Sequence, residues 1–193
     1  MAMHPVKFLW FTVFFSSTLF AQTGSSKPSV EVSKQQGQFV VQADVRVPAP
    51  CVRVWATITD YDQLANWVPD MQHSAKLTPT DAQATEAQGR ILVEQIGHGQ
   101  FLFFGKTVKV QLWVSEMPYT DIKMVLAKGD FLNFTASYNL APNPTGCQLS
   151  YRAQMRPDFF VPPVLGTHLF KQQIERQFTA IATKAIEPIY SNK

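Results

Sequence analysis

The sequence predicts an α+β fold in which a seven-stranded antiparallel sheet wraps around one long C-terminal helix, with two short helices after the first strand. Between residues 73 and 157, apolar and polar residues alternate over most of the chain, as expected for strands with one buried face. The turns between these segments are short, which favours antiparallel neighbours. The C-terminal stretch instead repeats its apolar residues at helical spacing, which predicts a helix with one buried stripe.

The composition indicates one folded domain. The chain has 193 residues, a formal charge of +3, 46% apolar residues and 16% charged residues, which argues against a disordered chain. No stretch concentrates Lys and Arg, so no nucleic-acid partner is expected. The 15 Phe, five Tyr and four Trp residues must be buried in a core, line a cavity, or both.

Residues 1–21 are predicted to be a secretory signal peptide. Lys7 precedes an apolar run from Phe8 to Phe20, which is shorter than the roughly 20 residues that a membrane-spanning helix needs. Leu19 and Ala21 occupy the −3 and −1 positions of a cleavage site after Ala21. We therefore expect an exported, periplasmic protein, with an uncleaved N-terminal anchor as the alternative.

Export would change the expected redox state of the only two cysteines, Cys51 and Cys147. In an oxidising compartment they are candidates for a disulfide, whereas in the cytosol they would stay reduced. No His lies at ligand spacing from either cysteine, so no metal site is expected. Because phosphate-binding and dinucleotide motifs are also absent from the sequence, we expect no cofactor.

The order of elements follows from periodicity and from proline. Polar residues 22–37 predict a flexible leader before a domain at 38–190. A strand begins at Phe39 and stops at Pro48, and Pro50 then starts a first helix. A second short helix runs from Asp62 to Trp67.

The rest of the domain is predicted to be six strands and one helix. The strands lie at about 73–79, 84–97, 100–116, 119–128, 131–141 and 146–156. The long helix spans about Val164 to Tyr190 after Pro162 and Pro163. Its apolar stripe must pack on the sheet, because such a helix is not stable alone.

Three stretches carry a resemblance to a known family. They are Ala43 to Trp55, a strand followed by a helix that starts with proline; Thr59 to Pro69, the turn that joins the two short helices to the second strand; and Met155 to Pro163. Here the chain resembles the START-like (SRPBCC) superfamily with the helix-grip fold, nearest its Coq10-like, coenzyme Q-binding and polyketide cyclase/dehydrase branch. The resemblance covers residues 38–190.

The resemblance implies a position for the cysteines. In the family topology the first and last strands are antiparallel neighbours, so Cys51, just after the first, would meet Cys147, at the start of the last. Cα atoms within about 7 Å can be bridged. Two buried free thiols remain the alternative.

The resemblance also implies a ligand cavity between the sheet and the long helix. The expected lining is Leu112, Met124, Phe134, Tyr138, Tyr151 and Met155 from the strands, and Phe170, Ile174, Phe178 and Ile181 from the helix. Each of these residues could equally be ordinary core. Apolar pockets with aromatic walls suit flat or prenylated ligands.

A second apolar feature is predicted at the mouth of the cavity. In the run from Phe101 to Phe104 adjacent side chains point to opposite faces, so not all of them can be buried in one core. Phe103, Phe104, Phe159 and Phe160 could form an exposed lip that touches a membrane transiently. A covering helix or loop is the alternative.

The function expected first is a monomeric, non-enzymatic carrier for a lipid, quinone or polycyclic aromatic molecule. The alternative is a polyketide cyclase/dehydrase-like enzyme that uses an acid in the cavity. Either Glu94 or a tyrosine hydroxyl would do the acid–base work, and Glu94 qualifies if its side chain points inward among apolar residues and its pKa is raised. An outward, solvated Glu94 is the other interpretation.

Overall fold

The computed structural model of the protein describes residues 26–101, 104–161 and 165–188. Eight antiparallel strands form one sheet in the order β1-β2-β8-β7-β6-β5-β4-β3. The strands are β1 (Ser29–Gln35), β2 (Gln38–Val47), β3 (Met71–Leu77), β4 (Ile91–Phe101), β5 (Phe104–Met117), β6 (Asp121–Gly129), β7 (Phe131–Asn143) and β8 (Gly146–Pro157). The helices are α1 (Cys51–Thr59), α2 (Asp81–Ala87) and α3 (Gly166–Ile186), with a 3₁₀ helix at Tyr61–Asn66.

The predicted architecture is confirmed, with one strand more than expected. A largely antiparallel sheet packs against a long C-terminal helix, and two short helices follow the Gln38–Val47 strand. That strand and the last strand are antiparallel neighbours, with Val47 opposite Cys147.

The additional strand corrects the prediction of a flexible leader over residues 22–37. β1 pairs with β2 through a tight turn, placing Val30 opposite Ala43 and Val32 opposite Val41. Val30 is buried, with 4% of its surface exposed. This short edge strand has only two apolar residues, Val30 and Val32. Because its neighbours are polar, the sequence pattern predicts a polar leader here instead of a strand.

A helix replaces the start of the strand that was predicted over residues 84–97. Thr80 and Gln83 form a capping box at the N-terminus of α2, and Gln88 and Gly89 with positive φ end the helix. The strand begins only at Ile91. Local capping therefore determines that this segment is helical, because it has little apolar alternation that would favour a strand.

Helix α3 is shorter than predicted because it begins at Gly166 and ends at Ile186. Residues 162–164 and 189–193 lie outside the described residues. Among the buried residues of α3 are Ile174, Phe178 and Ile181. In the described part of the chain, no helix has the length and apolar character needed to cross a membrane.

Cys51 and Cys147 form a disulfide, with their Cα atoms 4.9 Å apart. This is the pairing that the family resemblance implied. Gly146 allows the approach, because a Cβ there would lie 2.1 Å from the carbonyl oxygen of Val47. The bond ties the first residue of α1 to the beginning of β8.

Replacing both cysteines (C51A/C147A) should lower the free energy of unfolding by about 2–5 kcal/mol. The disulfide joins residues 96 positions apart, so its loss gives conformational freedom to the unfolded chain. Urea denaturation followed by tryptophan fluorescence measures the change, with reduced wild-type protein as the control. Equal midpoints for oxidised, reduced and mutant protein would contradict a stabilising role.

Candidate functional site

A cavity of about 490 Å³ lies between the sheet and α3. Helix α3 packs mainly against β1, β2 and α1, and this leaves a space above the neighbouring strands β4–β8. The 3₁₀ helix and the segment leading into β3 border the same space through Leu64, Trp67 and Asp70. The cavity is therefore a consequence of one-sided packing of the helix.

All of the predicted lining residues except Phe178 border this cavity. They are Leu112, Met124, Phe134, Tyr138, Tyr151, Met155, Phe170, Ile174 and Ile181. Phe178 is 1% exposed, and its ring centroid lies 6.2 Å from Tyr138 and 5.9 Å from Tyr151. It supports the wall from behind, so the expectation that Phe178 lines the cavity is wrong.

Other lining residues were not named from the sequence. Val108 and Ile122 lie in the same alternating rows as Leu112 and Met124, so periodicity could have found them. Further lining residues come from α1, the 3₁₀ helix, the segment after it and the start of β3: Ile58, Leu64, Trp67, Val68 and Met71. Their position depends on how those elements fold back over the sheet, which no local pattern reveals.

Of the four residues predicted to form the lip, the structure describes the side chains of Phe159 and Phe160. Phe159 lines the cavity, its ring lies edge-to-face with Phe131 at 6.1 Å, and the ammonium of Lys106 is 5.6 Å from its centroid. Phe160 is 82% exposed. Phe103 and the side chain of Phe104 lie outside the described residues.

Glu94 lies on the outer face of the sheet, so the expectation of an inward acid with a raised pKa is wrong. Its neighbour Gln95 lines the cavity, and strand alternation sends Glu94 the other way. The side-chain amide of Gln111 donates a hydrogen bond of 2.9 Å to its carboxylate, and Lys109 Nζ lies 3.0 Å away. These two contacts hold the pKa of Glu94 below its usual value.

Charged groups meet at one margin of the cavity. Arg176 of α3 donates to the carboxylate of Asp70, just before β3, over 2.6 Å, and it also contacts Gln173. This ion pair links the helix to the segment leading into β3. Gln95, Gln172 and Gln177 are the other amide side chains along the lining.

Three tyrosines give the apolar interior its hydroxyl groups. Tyr138 and Tyr151 are cross-strand partners with ring centroids 4.7 Å apart. Burial raises the pKa of Tyr138 to about 12 and that of Tyr151 well above its usual value. Tyr61 donates its hydroxyl to Glu116 over 2.7 Å, and burial together with this bond raises its pKa. All three are neutral phenols near pH 7, able to donate hydrogen bonds.

No metal centre is evident in the described part of the chain. No group of three or more His, Cys, Asp or Glu side chains is placed there to hold an ion. The chemistry that the described lining offers is enclosure of an apolar molecule, with a few uncharged polar contacts.

A sheet that curves around one long helix and encloses an apolar cavity defines the helix-grip class of the START superfamily. The chain belongs to the polyketide cyclase/dehydrase and lipid transport family, whose model, "Polyketide cyclase / dehydrase and lipid transport", matches residues 38–185. The predicted START-like membership is thus confirmed, whereas placement in the Coq10-like branch stays a prediction. No protein with curated annotation matches the sequence significantly.

Solved structures share the fold at low sequence identity. A START superfamily protein from Mycobacterium smegmatis is 17% identical, with a TM-score of 0.61, over 76% of this chain and 96% of that chain. A STAR-related lipid transfer protein from Xanthomonas axonopodis is 13% identical, with a TM-score of 0.57, over 84% and 100%. The Zhui aromatase/cyclase from Streptomyces sp. R1128 is 14% identical, with a TM-score of 0.58, over 80% and 97%. At these identities the likeness shows the fold alone.

Proposed function

We propose that this protein is an exported, non-enzymatic carrier of a hydrophobic small molecule, such as a lipid, quinone or polycyclic aromatic. The observation that carries the proposal is the cavity of about 490 Å³ between the sheet and α3, with its mainly apolar and aromatic lining. This volume falls within the range of about 300–1,000 Å³ typical of small-molecule sites. Family membership, which includes lipid transport, supports the same conclusion.

Binding would be driven by removal of apolar ligand surface from water, worth roughly 25 cal/mol per Å². The ligand would enter where α3 and the segment before β3 separate, at the Asp70–Arg176 ion pair. The Arg176 side chain is 53% exposed and that of Asp70 27% exposed. Exposed pairs contribute only about 0–1 kcal/mol, so opening this margin costs little.

The positions of the carboxylates Asp70 and Glu94 favour a carrier over a cyclase/dehydrase-like enzyme. Asp70 is the only carboxylate among the described lining residues, and Arg176 neutralises its charge. Glu94, the acid first considered for catalysis, bonds Gln111 and Lys109 outside the cavity. A proton-transfer role needs an acid or base within hydrogen-bond reach of the substrate, which these positions do not supply.

Export is supported by two independent features. The first is the pattern of residues 1–21, with Lys7, a short apolar run and Ala21 before the cleavage point. The second is the Cys51–Cys147 disulfide, since disulfides persist in oxidising compartments such as the periplasm.

Contact with a membrane is proposed for the end of the sheet where β7 begins and β8 finishes. Phe160 is 82% exposed there and Leu132 58% exposed. Basic residues at this end include Lys34, Lys106, Lys128, Arg156 and Lys171, and acidic residues there include Asp130 and Asp158. Apolar side chains among basic ones suit an anionic lipid surface. Phe159, which lines the cavity, lies beside Phe160, so a docked molecule would bring its ligand close to the lipid.

Expression of the full-length gene in a bacterial host should yield periplasmic protein that begins at Gln22 and is two hydrogens lighter than the reduced chain. Signal peptidase would remove residues 1–21, and oxidation would join the two cysteines. Intact mass spectrometry of the periplasmic fraction measures both changes. A full-length chain with free thiols in the cytosol would contradict export.

Substituting Val108 with tryptophan (V108W) should weaken binding of an uncharged apolar probe, N-phenyl-1-naphthylamine, by about tenfold or more, or about 1.4 kcal/mol. Val108 faces the cavity, and an indole there takes up space that the ligand needs. Fluorescence titration measures the affinity. The matched control is V125W, because Val125 follows Met124 on β6 and is exposed on the outer face. Equal affinity for folded V108W and wild-type protein would count against the cavity as the binding site.

Replacing Phe160 with serine (F160S) should reduce binding to vesicles of phosphatidylglycerol and phosphatidylcholine by about tenfold or more, because a buried Phe side chain contributes about 1.5–3 kcal/mol. Vesicle co-sedimentation measures the effect, and added salt should weaken the binding further. The control is M117S, which removes an exposed apolar side chain (64%) at the other end of the sheet. An F160S protein that sediments like wild type would place the membrane contact elsewhere.

A further inference from the structure

We infer that the cavity selects uncharged apolar ligands that carry a hydroxyl or carbonyl oxygen, which hydrogen-bonds to Tyr138 and Tyr151. The inference rests on the proposed carrier function and specifies the chemistry of the cargo. Two observations lead to it: tyrosine hydroxyl groups that no described residue uses, and the absence of a free charge among the described lining residues.

The hydroxyl groups of Tyr138 and Tyr151 have no hydrogen-bond partner within the described residues. Both side chains border the cavity, and both are buried around their rings by Phe178 and by each other. Tyr61 differs, because its hydroxyl is already donated to Glu116. Both hydroxyls border the cavity, so a ligand oxygen that accepts from Tyr138 or Tyr151 forms a neutral hydrogen bond, which contributes about 0.5–1.5 kcal/mol.

In other parts of the cavity, away from the two tyrosines, the lining includes uncharged amide side chains. Gln95 borders it from β4 and Gln177 from α3, and within the described part of the chain neither side chain forms a hydrogen bond. An amide can both donate and accept. It therefore suits a hydroxyl or a carbonyl group and does not require a charged one.

The charges of the lining argue against an anionic group inside the cavity. Asp70 and Arg176 neutralise each other at 2.6 Å. His98 borders the cavity, but its ring lies over Gly105, where a Cβ would be 2.4 Å from its Nε2, and strand alternation assigns it to the outer face with Glu94. A carboxylate among the tyrosines would thus be buried without a cation, which costs several kcal/mol.

The test uses three fluorescent probes with one ring system: pyrene, 1-hydroxypyrene and 1-pyrenecarboxylate, titrated into the purified, processed protein at pH 7. A single neutral hydrogen bond contributes about 0.5–1.5 kcal/mol, so 1-hydroxypyrene should bind about 2- to 13-fold more tightly than pyrene. 1-Pyrenecarboxylate should bind at least tenfold more weakly than 1-hydroxypyrene.

Variants assign the preference to the proposed groups. Y138F and Y151F keep the rings and remove the hydroxyls, so the double variant should bind pyrene as wild type does and lose most of the preference for 1-hydroxypyrene. Y119F is the matched control and should keep it, because the Tyr119 side chain is 54% exposed and does not border the cavity.

The outcomes separate this inference from the proposed function. Equal binding of pyrene and 1-hydroxypyrene by wild type, or a preference that survives in Y138F/Y151F, overturns the oxygen site while leaving the carrier intact. Tighter binding of 1-pyrenecarboxylate than of 1-hydroxypyrene overturns the argument from charge. No binding of any probe overturns the carrier function itself, and the oxygen site with it.

Discussion

The structure depends most on where the apolar stripe of α3 is buried. Ile174, Phe178 and Ile181 are buried, and the helix lies mainly over β1, β2 and α1. A helix of this kind is stable only when such a stripe leaves water. Because the helix covers one side of a wide sheet, the strands beyond it face a space instead of a packed partner. The core and the cavity are two results of the same packing.

The two ends of the molecule differ in how firmly they are joined. At one end the Cys51–Cys147 disulfide ties α1 to β8, next to the backbone pairing of Val47 with Cys147. At the other end α3 begins, and midway along this helix Arg176 meets Asp70, just before β3, through an exposed ion pair. Movement that admits a ligand is therefore easier at the second end, where exposed Phe160 also lies.

Polar groups are distributed unequally over the two faces of the sheet. On β4 the neighbours Glu94 and Gln95 point to opposite sides, and the charged one bonds Gln111 and Lys109 outside. Inside, the polar atoms belong mainly to tyrosines and glutamines, and Arg176 already neutralises Asp70. Since burial of an unpaired charge costs far more than burial of a hydroxyl or amide, this distribution permits a dry cavity that still offers hydrogen bonds.

The sequence by itself determined the elements with strong periodicity: β2, the central strands and α3, along with the rows that place Leu112, Met124 and Tyr151 inward. Side-chain period and proline positions are local properties, so they can be read without the fold. Only the tertiary structure decided that β1 joins the sheet, that Glu94 faces outward, and that Phe178 lies behind the wall. It also brought Asp70 to Arg176 and Leu64 to the cavity. These outcomes depend on contacts between residues far apart in the chain, and no local pattern encodes which of several compatible neighbours a side chain will meet.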